Sequence, residues 1–251
     1  MPMIPLKSLI QYSDQLLSSA SFSDYCPNGL QVEGRSEVQR IVSGVTACQA
    51  LIDQAVMLQA DVLLVHHGYF WKGETQPIVG IKRRRIKSLL ENDISLVAYH
   101  LPLDAHAELG NNAVLGRRLR ISGAEPLNSE GIGSVGVLDE AMPAIMLARR
   151  LEQVLGRAPL SIVAGDFPVE RVAWCTGAAQ GHIEQAAASG ADAYISGEIS
   201  EQTVHLAREL GIHYFAAGHH TTERYGVMAL GEHLAERFGL CHEFVDIDNP
   251  V

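Results

Sequence analysis

The sequence predicts an α/β protein built from two similar α/β domains with a metal site in the cleft between them. Three observations carry that prediction. Short apolar runs that read as buried strands alternate with amphipathic helical stretches. Polar residues collect where those runs end, which is where open α/β sheets place their chemistry. Finally, the chain aligns with itself without a gap at a shift of 131 residues. Arg40–Gly68 then overlies Arg171–Ile199 with eight of 29 positions identical, among them Gln49/Gln180, Ala55/Ala186 and Asp61/Asp192.

Taken in order, Ile41–Val45 reads as a strand, Gln49–Leu58 as a helix with Leu51, Ala55 and Leu58 on one face, and Asp61–Val65 as the next strand. So short a helix returns the chain for a parallel pairing. The second copy repeats the unit through Val172–Thr176, His182–Ala188 and Ala193–Ser196. A helix and a strand follow in each half: Ile86–Asn92 with Ser95–Tyr99, and Glu201–Leu210 with His213–Ala217. Between the halves, Ser122–Gly136 is rich in Gly, Ser, Asn and Glu and reads as a linker. This divides the chain into domains at 1–125 and 126–251, with C-terminal elements free to cross over. A helix from Pro143 to Leu155 stops at Gly156. A further helix over Arg224–Phe238 and a strand over His242–Ile247 complete the reading.

Composition narrows the function. A formal net charge of −10 argues against general nucleic-acid binding, which needs Lys and Arg at the phosphates. The cysteines Cys26, Cys48, Cys175 and Cys241 are widely spaced, with no CxxC pair, so reduced thiols in a cytoplasmic protein are expected. No apolar run approaches the roughly 18 residues of a membrane span, and Met1–Lys7 has no secretory core. Lys82-Arg83-Arg84-Arg85 with Lys87 forms the basic cluster, read as a solvated helix face rather than a phosphate or nucleic-acid contact. Gly131-Ile132-Gly133-Ser134-Val135-Gly136 fits GxGxxG literally, but neither a strand before it nor a helix after it is expected, so no dinucleotide site is assigned.

The chemistry-bearing residues sit at the predicted strand ends. His66 and His67 are adjacent, and neighbouring strand residues point to opposite faces, so two metals could take one imidazole each. Asp104 lies in the loop expected after His100, because Pro102 opposes a regular helix. His219 and Glu223 are four apart, the spacing that shares a helix face, with Thr221 or Thr222 available as a cap. Glu198 occupies the position of His67 in the second copy and is a candidate general base or hydrogen-bond acceptor behind a ligand. These N and O donors suit Zn, Mn, Fe or a similar divalent ion. Two such ions would acidify a shared water and stabilise a developing oxyanion.

The same residues resemble the Nif-three-like dinuclear metal centre family, also called the GTP cyclohydrolase 1 type 2 family, and especially its enterobacterial members. The likeness rests on Asp24–Val32, His66–Gly73, His100–Asp104 followed by Gly110-Asn111-Asn112, Ser196–Glu198 and Gly218–Glu223. It implies His66, His67, Asp104, His219 and Glu223 as ligands of two divalent metal ions. His100 and Glu198 match positions near the metals and are the candidate catalytic residues. Gly68 departs from the proline of many relatives without removing a ligand. The resemblance also implies a ring-shaped hexamer and hydrolysis of GTP at C8 with loss of formate. A metal-dependent hydrolase acting on a nucleotide or related small molecule is therefore expected. The alternatives are a metal-binding scaffold or adaptor with a regulatory or DNA-damage role, and metal storage or sensing.

Overall fold

Strand Val62–His67 is the centre of the first sheet, and its alternation shows how both faces are used. Val62 and Leu64 face one core together with Ile41, Val97 and helix residues Leu6, Leu9, Val227, Leu230 and Leu234. Leu63 and Val65 face the other, with Val42, Leu96, Leu51, Ile52, Ala55, Ile86 and Leu89. Burial on both faces is what turns the run into a near-continuous apolar stretch. The computed structural model describes residues 2–128 and 131–251. Among them this sheet runs Cys241–Phe244, Arg40–Thr46, Val62–His67, Ser95–Ala98 and Gly29–Val32. The first four strands are parallel and the last antiparallel.

The second sheet runs Ile121–Pro126, Ser134–Pro143, Pro168–Cys175, Ala193–Ser196, His213–Ala216 and Leu160–Ile162. Its middle three strands pair in parallel, and its flanks are antiparallel. It too is covered on both faces. Trp174, Ile195 and Phe215 pack with Leu147 and Leu151, whereas Tyr194 and Tyr214 pack with Ile183, Ala186 and Ala207. The fold is therefore mixed α/β with two large sheets, and among the described residues Ile4–Pro5 and Glu37–Val38 add a two-stranded antiparallel pair.

The 131-residue shift reappears as register. Ile41 pairs with Val62, and Val172 pairs with Ala193. The shared aspartates also do the same work. Asp61 accepts from the backbone N–H groups of Gln39 and Arg40 at 2.8 and 2.9 Å, and Asp192 from those of Glu170 and Arg171 at 2.9 and 2.8 Å.

Several expectations are corrected. The segment read as a linker is two antiparallel strands, Ile121–Pro126 and Ser134–Pro143, with Ser129 and Glu130 outside the described residues. Its glycines misled the reading: Gly123 supplies positive φ at the irregularity within the first strand, Gly131 and Gly133 supply it between the strands, and Gly136 lets Ile121 and Ser122 approach. Contrary to expectation, a strand, Ile121–Pro126, thus precedes the GxGxxG match, and a strand rather than a helix, Ser134–Pro143, runs on from within it. The compact units are 1–109 with 226–248, and 110–225 with 249–251, rather than halves meeting at 125/126. The pairing of Ile121–Pro126 within the second sheet and of Cys241–Phe244 within the first accounts for this. Pro102 does not exclude a helix, because Leu101–Ala105 is one short helix with the proline in its first turn, where no N–H is required. The helix expected from Arg224 begins at His219, and Thr221 and Thr222 lie inside it, with the Thr221 hydroxyl donating to the Ala217 carbonyl at 2.7 Å. Among the described residues, no helix is long and apolar enough to cross a membrane.

Candidate metal centre

In the first unit, strand Val62–His67 continues through both histidines, and His67 stands opposite Thr46. His66 is fully buried. Its Nδ1 lies 2.8 Å from the Tyr99 carbonyl, which can only accept, so Nδ1 carries a proton and the neutral ring would present its lone pair at Nε2. That Nε2 is 3.6 Å from Asp104 Oδ2. Asp104 is buried at 7% exposure, brought there by the short helix Leu101–Ala105. The Nδ1 of His67 is 3.2 Å from Thr46 Oγ1. Alternation does not separate the pair, because the two rings lie 4.6 Å apart at the strand end. His66, His67 and His100 each offer a nitrogen within 4.8 Å of the others.

His100 is positioned by a carboxylate to which the sequence reading gave no role. Asp24 Oδ1 lies 2.7 Å from His100 Nδ1 and accepts from the Tyr25 N–H at 2.6 Å. Its Oδ2 accepts from Asn28 Nδ2 and the Leu101 N–H, both at 2.9 Å. The Asn28 carbonyl in turn accepts from the His100 N–H at 2.8 Å. Burial works against the charge on Asp24, but the hydrogen bonds from His100 and Asn28 prevail and hold its pKa at about 2. Asp24, Cys26 and His100 form a further metal-capable group. Burial and the Asp24 charge push the Cys26 thiol up to about 12, however, and Asp24 and His100 already satisfy each other. A thiolate ligand is thus disfavoured there. The local signal for Asp24 was an aspartate four residues before an asparagine in a Pro/Gly loop, a setting in which such side chains fold back onto backbone. His106 is structural, its Nδ1 accepting from the Glu108 and Leu109 N–H groups at 3.2 and 3.0 Å.

In the second unit the ligand candidates come from a helix rather than a strand end. His219 opens helix His219–Phe238, and Glu223 follows one turn later, with Nε2 and Oε2 3.0 Å apart. Glu198 takes the opposite side of the ring, its Oε1 2.7 Å from Nδ1. Burial opposes charge on His219, but Glu223 and then Glu198 outweigh it and push its pKa up to about 9. Glu223 is buried at 3% exposure. The Gly177 backbone, at φ +71°, lies where any Cβ would strike the Glu223 carboxylate. Gly197 likewise admits His219, since a Cβ there would stand 2.7 Å from the His219 Cα.

The donor chemistry fits divalent metal. Each imidazole in these sets has Nδ1 engaged by a carbonyl, hydroxyl or carboxylate, the outer support that orients histidine ligands. Within the first unit His66, His67, His100 and Asp104 come together, and within the second His219, Glu223 and Glu198 do. The basic cluster belongs to neither set. Lys82 pairs with Glu74 at 3.3 Å and Lys87 with Glu91 at 3.0 Å on helix Gly80–Glu91.

Known proteins match over the whole fold. The family described as Duf34/NIF3 (NGG1p interacting factor 3) matches residues 4–250. A protein of Pseudomonas aeruginosa named GTP cyclohydrolase 1 type 2 homolog is 58% identical, over 99% of both chains. A protein of the same name from Salmonella typhimurium is 55% identical over 97% of this chain and 98% of its own. Among solved structures, protein ybgI, described as of unknown function, superposes with a TM-score of 0.96 at 52% identity, covering 99% of this chain and 100% of its own. TTHA1606 from Thermus thermophilus superposes at 0.92 with 36% identity, again covering 99% and 100%. The chain belongs to the Duf34/NIF3 family.

Proposed function

We propose that this chain is a metal-dependent hydrolase whose donor sets serve one dinuclear centre: His66, His67 and Asp104 from the first unit, His219 and Glu223 from the second. The observation that carries the reading is His66. A fully buried imidazole with its Nδ1–H given to a carbonyl and its Nε2 turned toward a buried carboxylate is prepared as a ligand rather than as a titrating surface group. A bound pair of divalent ions would acidify a water and stabilise developing negative charge. The chain's own residues do the rest. Glu198 orients His219 and can take up a proton at Oε1, and His100, fixed by Asp24 through Nδ1, can pass a proton from Nε2 to a leaving nitrogen or oxygen.

The substrate we propose is a nucleotide or related small molecule. The name of the relatives points to GTP, with opening of its imidazole ring and release of formate. The corresponding registers and the paired roles of Asp61 and Asp192 support descent of the two units from one duplicated ancestor. Assembly into a homohexameric ring belongs to the same proposal, and light scattering checks it. For the activity, the test is metal content together with formate release from GTP. Two ions per chain and formate production lost in His66→Ala are expected. A fully metallated protein that releases no formate rejects GTP as the substrate, and one ion per chain rejects the dinuclear centre.

A further inference from the structure

Two aromatic rings beside His100 take no part in the donor sets. Tyr25 is 63% exposed, yet its backbone is held from both sides. Its N–H donates to Asp24 Oδ1, and its carbonyl accepts from the Lys72 N–H, each at 2.6 Å. Trp71 is partly exposed. Its indole N–H donates to the Gly68 carbonyl and its backbone N–H to the Glu74 carboxylate, both at 3.1 Å. The residue before it, Phe70, sits at φ +65°, a left-handed conformation that a bulky side chain rarely adopts and of a kind that clusters at functional sites.

These rings are not core. Tyr69 and Phe70 pack against the first-unit core, whereas Tyr25 and Trp71 do not. They meet the histidines instead. The Trp71 ring is 5.0 Å from His100 and 5.9 Å from His67, and the Tyr25 ring is 6.5 Å from His100. The Lys72–Tyr25 bond joins the two loops, so both rings stand on one braced support. Rigid, exposed aromatic side chains offer contact area at low entropic cost.

We propose that Tyr25 and Trp71 form a stacking surface for a planar heteroaromatic ring, so that the substrate is a nucleobase-like heterocycle presented to His67 and His100. The assignment deepens the hydrolase reading and rests on it for the chemistry that follows binding, while the surface itself is built wholly within the first unit.

Trp71 supplies its own reporter. The other tryptophan, Trp174, is 1% exposed, with its N–H bonded to the Asn112 carbonyl at 2.9 Å. Quenching by a small ligand therefore reads Trp71. The full-length protein is titrated with guanosine 5′-monophosphate, and with ribose 5-phosphate as the probe that lacks the ring, before and after zinc loading. Guanosine monophosphate is expected to quench Trp71 and shield it from acrylamide, and ribose 5-phosphate to do neither. Trp71→Phe removes the signal. Tyr25→Ala weakens binding roughly 5- to 100-fold, as expected for one lost base–aromatic stack, and Tyr25→Phe restores it, with zinc stoichiometry unchanged throughout. Equal responses to the two probes overturn the proposal, as does unchanged affinity in Tyr25→Ala. So does a shift in oligomeric mass in Tyr25→Ala, because the ring would then be covered by a second copy of the chain. Zinc binding at other than two ions per chain, with the nucleotide responses as expected, leaves the stacking surface standing and refutes the dinuclear centre alone.

Discussion

Replacing Gly177 with alanine separates backbone strain from damage to the centre, because Gly190 provides a matched control. Both glycines adopt left-handed backbone, at φ +71° and +76°. Alanine in that region costs about 1 kcal/mol at either position. At Gly190 nothing lies within 4 Å of the added Cβ, so Gly190→Ala loses about that amount and no more. At Gly177 the Cβ drives into the Glu223 carboxylate, which must leave its 3.0 Å contact with His219 Nε2. Breaking a fully buried ion pair costs roughly 3–5 kcal/mol, and the 26% exposure of the His219 side chain reduces that to about 2 kcal/mol. Gly177→Ala is thus expected to lose about 3 kcal/mol in urea unfolding of the metal-free protein. Displacing a proposed ligand should also weaken zinc binding by at least the ~10–100-fold associated with loss of an outer-shell partner. Urea unfolding paired with zinc titration calorimetry reads both quantities. If Gly177→Ala binds zinc like the wild type and is no less stable than Gly190→Ala, the placement of Glu223 in the centre is wrong.

Three further outcomes follow from single contacts. His242 lies 2.7 Å from Ser43 Oγ, and burial pulls its pKa down to about 4. The unfolded chain takes up this proton near pH 6.5, so the stabilisation is full above that pH and declines as pH falls toward 4. The interval corresponds to ~3.4 kcal/mol, which partial solvent access lowers to about 2 kcal/mol. Unfolding free energies across that range should flatten by this amount in His242→Asn. Asp24→Asn removes the charge beside His100 Nδ1 and turns one of two accepting oxygens into an NH2 that faces donors, and is expected to cost about 1–3 kcal/mol in urea unfolding while leaving zinc stoichiometry intact; a change in stoichiometry would make Asp24 a ligand. Gly116→Ala gains about 1 kcal/mol of helix propensity, but its Cβ would stand 2.6 Å from the Trp174 indole, an overpacking cost of about 1–3 kcal/mol. A net loss in melting temperature is expected, and a gain would mean that the indole has room to move.

What could be read from the chain was what repeats locally. The parallel strands announced themselves because burial on both faces makes them continuously apolar, and Ala193–Ser196 and Glu201–Leu210 fall where periodicity placed them. The hairpin over 121–143 was illegible for a physical reason. Its strands are largely exposed, and its glycines, read as part of a linker composition, serve positive φ and close strand approach. At the site, the histidines and carboxylates were recognisable as residue types, but their supports were not. Asp24 meets His100 from 76 positions away, and the value of Gly177 lies in the side chain it lacks. Long-range partners of that kind leave no periodic trace.

The pairing of strand Cys241–Phe244 with Arg40–Thr46 has a consequence for synthesis. The first unit includes 226–248, whereas the second is almost wholly the continuous stretch 110–225. On a ribosome the second unit can complete its sheet while the first still lacks a strand. Closing that long loop is entropically slow compared with joining neighbouring elements. The nascent chain therefore carries Arg40–Thr46 as an open parallel edge until Cys241–Phe244 has emerged, and that edge is where a chaperone, or a misplaced strand from another chain, would first find purchase.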